Sequence, residues 1–217
     1  MSEHEFDTMR RAMVSGQLRT TAVSDPRVVA AMEYVARENF VPVDRRALAY
    51  VDVAVPLGNG RALNPPMATG RLLHEAGVRA SDHVLVVGAA TGYSAAVLSR
   101  LAKSIVALEC DADLAKLAKA NLSGLANVTL VSGDIAAGWA KGAPYDVILV
   151  DGAVETLPPA LIKQLSDGGR LATAIVEDGV VRLAVGTKAG DGFGLNAFVE
   201  ADAVRLPGFE IPKTFQF

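Results

Sequence analysis

The stretch HVLVVGAATGYSAAVLSRL, followed by IVALE, constrains the fold of this chain more than any other. His83 to Gly88 read as an apolar strand, and Gly88-Ala89-Ala90-Thr91-Gly92 as a tight turn of small residues. Tyr93 to Leu101 then read as a helix, and Ile105 to Glu109 as a second strand ending in an acid. Strand, glycine turn, helix, strand and an acid about 20 residues on is the order of a nucleotide-binding α/β half-domain. The turn lets a ligand approach the backbone, and the carboxylate can accept hydrogen bonds from a ribose.

The same alternation continues downstream. Strands are expected at 83–88, 104–109, 127–132, 145–151 and 169–176, with helices at 92–102, 112–123 and 156–165. The run VILVD is continuously apolar, as a strand buried on both faces must be. Such alternation predicts an α/β fold, a Rossmann-like mostly parallel sheet with helices on both sides. After Asp178 the pattern changes. VVRLAVGTK, Gly190-Asp191-Gly192 and GLNAFVEADAV read as an antiparallel carboxy-terminal hairpin.

The first 80 residues read as a helical cap on the 81–217 core, the whole of 1–217 forming a single domain. Phe6, Met9 and Met13 stand at helical spacing within 5–20. Ser24-Asp25-Pro26 is a helix start, and Phe40-Val41-Pro42 ends that helix. Tyr50 to Pro66 is strand-like and broken by Gly58-Asn59-Gly60, and a further helix runs from Pro66 to Ala76.

Composition excludes several classes. The chain is 51% apolar, yet charges interrupt every long apolar run, so it lacks the roughly 18 uncharged residues of a membrane span. The net charge of −3 has no concentrated Lys/Arg run behind it, which argues against nucleic acid as a partner. His4, His74 and His83 are scattered, and with one cysteine they make no zinc pattern. Cys110 alone excludes an internal disulfide and fits a reducing compartment; at a strand end it reads as a small buried hydrophobe.

The candidate ligand-binding residues follow from the topology. The turn is G-x-A-x-G. That is nearer the G-x-G-x-G of S-adenosylmethionine-dependent methyltransferases than the G-x-G-x-x-G of dinucleotide sites. Gly88, Ala89, Ala90 and Gly92 would pass under the methionine moiety, Ala90 being tolerated where its local φ is negative. Glu109 would accept both ribose hydroxyls, so that replacing it weakens cofactor binding and leaves the fold intact. Asp134 would accept from the adenine amino group with Ile135 covering the ring; Asp134 equally reads as a cap for the residues after it. Asp151 ends the fourth strand, where ligands of open α/β sheets bind, and would face the sulfonium or the substrate, or cap the following segment. Asn64-Pro65-Pro66-Met67 resembles the N-P-P motif of amino-methyltransferases. There it follows the fourth strand; here it precedes the glycine turn, and Asn64 also reads as a helix cap.

Over nearly its whole length the chain resembles the protein-L-isoaspartate O-methyltransferase family. The resemblance is carried by GQLRTTAVSDPRVVAAMEYVARENFVP, AYVDVAVPLGNGRALNPPMATGRLLHEAG, VLVVGAATGYSAAVLSRLA, NVTLVSGD and APYDVILVDGAVETLPPALIKQLSDGGRL. It implies a cytoplasmic S-adenosylmethionine-dependent enzyme of protein repair that esterifies the α-carboxylate of isoaspartyl residues in polypeptides, or a relative acting on another carboxylate. Methyl transfer to a carboxylate needs in-line positioning more than acid–base help, so no His or Ser nucleophile is required. Four positions depart from the family's motifs. Asn64 stands where the family has its active-site serine, Val86 where it has an acid, Ala90 where it has a glycine, and Ile135 where it has another. These departures motivate two alternatives: a non-catalytic descendant that binds nucleotide or peptide, and a methyltransferase with a different substrate. An NAD-linked oxidoreductase is opposed by the turn spacing.

Overall fold

The structure is a computed structural model, and it describes residues 1–211. The last six residues of the expected 81–217 core, 212–217, lie outside the described residues. The α/β expectation is met by a seven-stranded sheet of order β5-β4-β3-β6-β7-β8-β9. Its strands are β3 (His83–Val87), β4 (Ser104–Glu109), β5 (Val128–Ser132), β6 (Tyr145–Val154), β7 (Leu165–Glu177), β8 (Val180–Ala189) and β9 (Gly192–Glu200). β3 to β7 run parallel, and β8 and β9 add the antiparallel hairpin. Asp178-Gly179, both at positive φ, turns β7 into β8, the geometry two-residue hairpin loops favour.

β3 and β6 are apolar on both faces because helices cover both. Around the sheet lie α4 (Tyr93–Leu98), α5 (Ala112–Leu122) and α6 (Pro159–Lys163). α6 falls well inside the expected 156–165, since Pro158 and Pro159 delay its start and β7 begins at Leu165. Strand order reverses at β3, which pairs with β4 on one side and β6 on the other. The carboxyl ends of these three strands are therefore the place where such sheets bind ligands. They carry Gly88, Glu109 and Asp151. Cys110, expected to be buried, is exposed because the chain turns outward after Glu109.

The amino-terminal segment packs on this core through one continuous apolar cluster that runs from Phe6 to Leu183. α1 (Glu3–Met13) opens on a Ser2–Glu5 capping box. The expected 5–20 helix changes pitch after Met13, through a wide turn over Val14–Leu18 and a tight one over Arg19–Thr21. There the Thr20 and Thr21 hydroxyls donate back to the carbonyls of Gly16 and Gln17. α2 (Pro26–Tyr34), capped by Asp25, stops earlier than the Phe40-Val41-Pro42 signal, because Val35 and Ala36 are extended. A tight turn over Arg37–Phe40 then aims Arg37 into the core. The strand-like 50–66 segment resolves into a small separate hairpin, β1 (Val55–Gly58) and β2 (Arg61–Leu63), followed by α3 (Pro66–Glu75). Among the described residues no helix is long and apolar enough to cross a membrane.

The hairpin, expected to run on through Val204, ends with β9 at Glu200, and the residues after Val204 carried no expectation from the sequence. Past β9 the chain returns to the centre of the sheet and runs along the end of β6. Ala153 donates to the Val204 carbonyl at 2.7 Å, and Leu206 donates to the Ala153 carbonyl at 2.9 Å. Leu206 and Phe209 are buried there with Ile135, Leu108 and Val87. β6 runs past the expected Asp151 to Val154, and its register shifts on the way.

Candidate active site

The glycine turn folds as its residues dictate. Gly88 and Gly92 sit at φ +76° and +98°. Ala90 is also in the left-handed region, at φ +50°, which corrects the expectation that it is tolerated through a negative φ. A left-handed alanine costs about 1–2 kcal/mol. Its amide has a compensating role: Ala90 N–H donates to Glu109 Oε2 at 2.6 Å. Val86, at the position where an acid was expected from the family, is fully buried in the sheet.

Glu109 lies at the end of β4 with no exposed surface, and its carboxylate is already filled. Oε1 accepts from Arg61 Nη1 at 2.7 Å and from the amides of Cys110 and Asp111, both at 2.9 Å. Oε2 accepts from Arg61 Nη2 at 3.1 Å as well as from Ala90. Five N–H donors therefore face a group with about four lone-pair directions. Burial by itself pushes the Glu109 carboxyl up. The Arg61 hydrogen bonds, with those of Asp111 and Ala90, outweigh it and hold the group below the ordinary carboxylate range.

Arg61 reaches this position from the start of β2. The hairpin turn at Asn59-Gly60, both at positive φ, puts Arg61 and Leu63 on one inward face. Arg61 Nη2 also donates to the Gly88 carbonyl at 3.3 Å, and Asn59 ties the hairpin tip to Asp111 at 2.9 Å. Sequence reasoning missed this ion pair. The one signal was a charge alternating with apolar residues on a short strand, and nothing in the spacing tied it to an acid 48 residues away.

Asn64 and Asp151, singled out separately, are brought together. Asn64 Nδ2 donates to the Asp151 carbonyl at 3.1 Å and to Asp151 Oδ1 at 2.9 Å. Its Oδ1 accepts from the Val204 amide at 2.8 Å. Asn64 is thus a buried clamp between β2, β6 and the returning segment rather than a cap of α3, whose cap position is Pro65. Burial pushes the Asp151 carboxyl above its ordinary range, against hydrogen bonds from Ser94 and Asn64. Arg37, fully buried, donates to the Ala49 and Asn64 carbonyls and stacks 4.6 Å from the Tyr93 ring. Arg37 Nη1, Arg61 Nε and Tyr93 Oη have no hydrogen-bond partner among the described residues.

Asp134 and Ile135 lie one strand over. Asp134 is exposed and accepts from the Ala136 amide at 2.9 Å, so it caps a turn. Ile135 is buried beside Leu206.

The implied cofactor can be tested against these residues. The types fit: a glycine turn, an acid at the end of the neighbouring strand, and an apolar side chain at Ile135. The arrangement does not. Both Glu109 oxygens are taken, and Leu206 lies over the glycines that a ligand would approach. A Cβ built on Gly88 would stand 3.0 Å from Leu206 Cδ2, and one on Gly152 would stand 2.5 Å from Leu206 Cγ. In this arrangement the chain's own side chains occupy the Glu109 carboxylate and the approach to the glycine turn.

Comparison with known proteins places the chain. Residues 9–201 match the family model for protein-L-isoaspartate(D-aspartate) O-methyltransferase. A protein-L-isoaspartate O-methyltransferase of Koribacter versatilis is 40% identical over 172 residues, covering 78% of this chain and 78% of the relative. That of Methylorubrum populi is 40% identical over 170 residues, covering 78% and 80%. A solved protein-L-isoaspartate O-methyltransferase superposes with a TM-score of 0.79 at 26% identity, over 92% of this chain and 66% of the other. A Plasmodium falciparum relative solved with S-adenosyl-L-homocysteine shares the fold, with a TM-score of 0.78 at 18% identity over 90% of this chain and 96% of the other. The chain belongs to the protein-L-isoaspartate(D-aspartate) O-methyltransferase family of S-adenosylmethionine-dependent methyltransferases.

Proposed function

We propose that this protein is an S-adenosylmethionine-dependent carboxyl O-methyltransferase acting on isoaspartyl residues of damaged polypeptides, as a single-domain enzyme of protein repair in the cytoplasm. The observation that carries the reading is the family match across residues 9–201, which includes the glycine turn and Glu109 at the reversal point of the sheet. The cofactor-side residues of this reading are Gly88, Ala89, Ala90, Gly92, Glu109, Asp134, Ile135 and Asp151. Asn64 stands on the substrate side.

The test is calorimetry with S-adenosylmethionine and S-adenosyl-L-homocysteine, followed by methyl release from an isoaspartyl peptide. Binding and turnover support the reading; binding without turnover points to another substrate. Asn64 supplies a sharper test. It offers an amide where the family has a hydroxyl, and the two differ in what they can donate and accept. Asn64→Ser should raise turnover on the isoaspartyl peptide, at a cost in stability because the amide's bonds to Asp151 and Val204 are lost. Equal, robust turnover by both forms would show that the hydroxyl is dispensable.

A second reading, a descendant that no longer catalyses, is favoured by one specific observation: the acid expected to hold the ribose is saturated by Arg61. Binding of cofactor or peptide with no methyl release from any carboxylate substrate would select it.

A further inference from the structure

Arg61 and Leu206 come from opposite ends of the sequence and meet at Gly88. We propose that together they form an intramolecular plug on the cofactor cleft, and that cofactor binding requires the β1–β2 hairpin and the 204–206 strap to withdraw. The inference rests on the methyltransferase reading above.

The chemistry of the ion pair is that of a stand-in. The guanidinium fork presents two parallel N–H donors, one to each Glu109 oxygen. A vicinal diol presents two O–H donors to the same pair of atoms. The two occupants therefore exclude one another. When Arg61 leaves, Glu109 keeps the backbone donors of Ala90, Cys110 and Asp111. The carboxylate stays supported, and Oε2, left with the Ala90 amide alone, regains an acceptor direction.

The parts of the plug are short. β1 and β2 form a two-stranded sheet of four and three residues, separate from the main one and anchored in the core through Val55 and Leu63. Arg61 Nε has no partner among the described residues, so the side chain is held by its two terminal nitrogens. The strap is a single run of backbone held on β6 by the two Ala153 bonds, and beyond them by the Arg205–Glu155 ion pair and by the Phe209 carbonyl, which accepts from the Glu155 and Thr156 amides. Its Leu206 rests on Gly88 and Gly152, where no Cβ intervenes.

The two parts are also joined. Asn64, three residues after Arg61, accepts from the Val204 amide and donates to Asp151. Displacing the hairpin pulls on the strap, and lifting the strap frees Asn64. A ligand that needs the open form binds with an affinity reduced by the fraction of open molecules. Weakening either half of the plug should therefore tighten binding.

The experiment compares S-adenosyl-L-homocysteine affinity in the wild-type chain, Arg61→Gln and Leu206→Ala, with circular dichroism and melting curves to establish folding. Leu206→Ala leaves the ion pair intact and decides the matter if Arg61→Gln is too unstable to measure. Each folded variant should bind about tenfold or more tightly than wild type. In the wild-type complex, hydrogen exchange at the Val204 and Leu206 amides should speed up, because their bonds to Asn64 and Ala153 open. Equal affinity in wild type and variants, with those amides still protected in the complex, overturns the plug and leaves the methyltransferase reading standing. No binding by any folded form overturns both, since opening the cleft would then expose no cofactor site.

Discussion

Removing the Glu109 carboxylate strands Arg61. Arg61 is only 5% exposed and would lose its counter-ion, and truncating one member of a buried pair typically costs about 3–5 kcal/mol. Glu109→Ala should therefore lower the unfolding free energy by about that amount. This replaces the expectation, drawn from the sequence, that the fold would be indifferent to the change. Denaturant unfolding of the two forms measures it, and a loss comparable to that of a surface substitution would contradict the ion pair. The pH dependence has a definite sign. Glu109 in the folded chain lies below its unfolded value of 4.5. Its contribution to stability is therefore complete above that value and lost as pH falls through the folded one. In Arg61→Gln the largest contribution that offsets burial, the Arg61 hydrogen bonds and charge, disappears and the Glu109 value rises. The melting temperature of Arg61→Gln should then fall less steeply on acidification than that of wild type, and parallel curves would refute the assignment. That Glu109 matters was legible from its place after the second strand. Its partner was not, because an ion pair formed across a hairpin leaves no local period in the sequence.

At the level of elements, local rules located the first strands and bounded α3 and α5 to within a residue, but missed where α2 and α4 stop and where β7 starts. β3, β4 and β5 lie within a residue or two of the expected segments, since a continuous apolar run bounded by glycine or polar residues admits little else. α2 stops short because the extended Val35 and Ala36 turn Arg37 inward to the Ala49 and Asn64 carbonyls, a tertiary demand that overrides helix periodicity. The 201–211 strap was unreadable for the same reason. It forms no helix or hairpin of its own, and its order comes from the edge it finds beyond Asp151. Gly152 tests that account. A Cβ there would meet Leu206 Cγ at 2.5 Å and the Val204 carbonyl at 2.6 Å. Gly152→Ala should push the strap off β6 and cost about 1–3 kcal/mol, as overpacking does. Exchange at the Leu206 amide should rise more than exchange within β3. Uniform change across the molecule would mean that the strap is not the element affected.

Across the whole molecule, the sequence sufficed to predict a parallel sheet with an antiparallel hairpin, because β/α alternation and two turn signals restrict the topology to very few solutions. It also placed Gly88, Glu109 and Asp151 at the carboxyl ends of strands, where such sheets bind ligands. What it could not supply was the state of that site, since occupancy depends on residues 61, 64 and 206 arriving from both sides of the core. Their arrival has an order in time. The Val204–Asn64 hydrogen bond spans 140 residues, and contacts of such separation are costly to close and form late. Chains are made from the amino terminus, and the hairpin and the β3–β6 region emerge before residue 204 exists. A nascent chain thus presents the glycine turn uncovered by Leu206, and any cofactor in the surrounding solution meets it before the strap does. For this protein, synthesis itself is a window in which the cleft is half open.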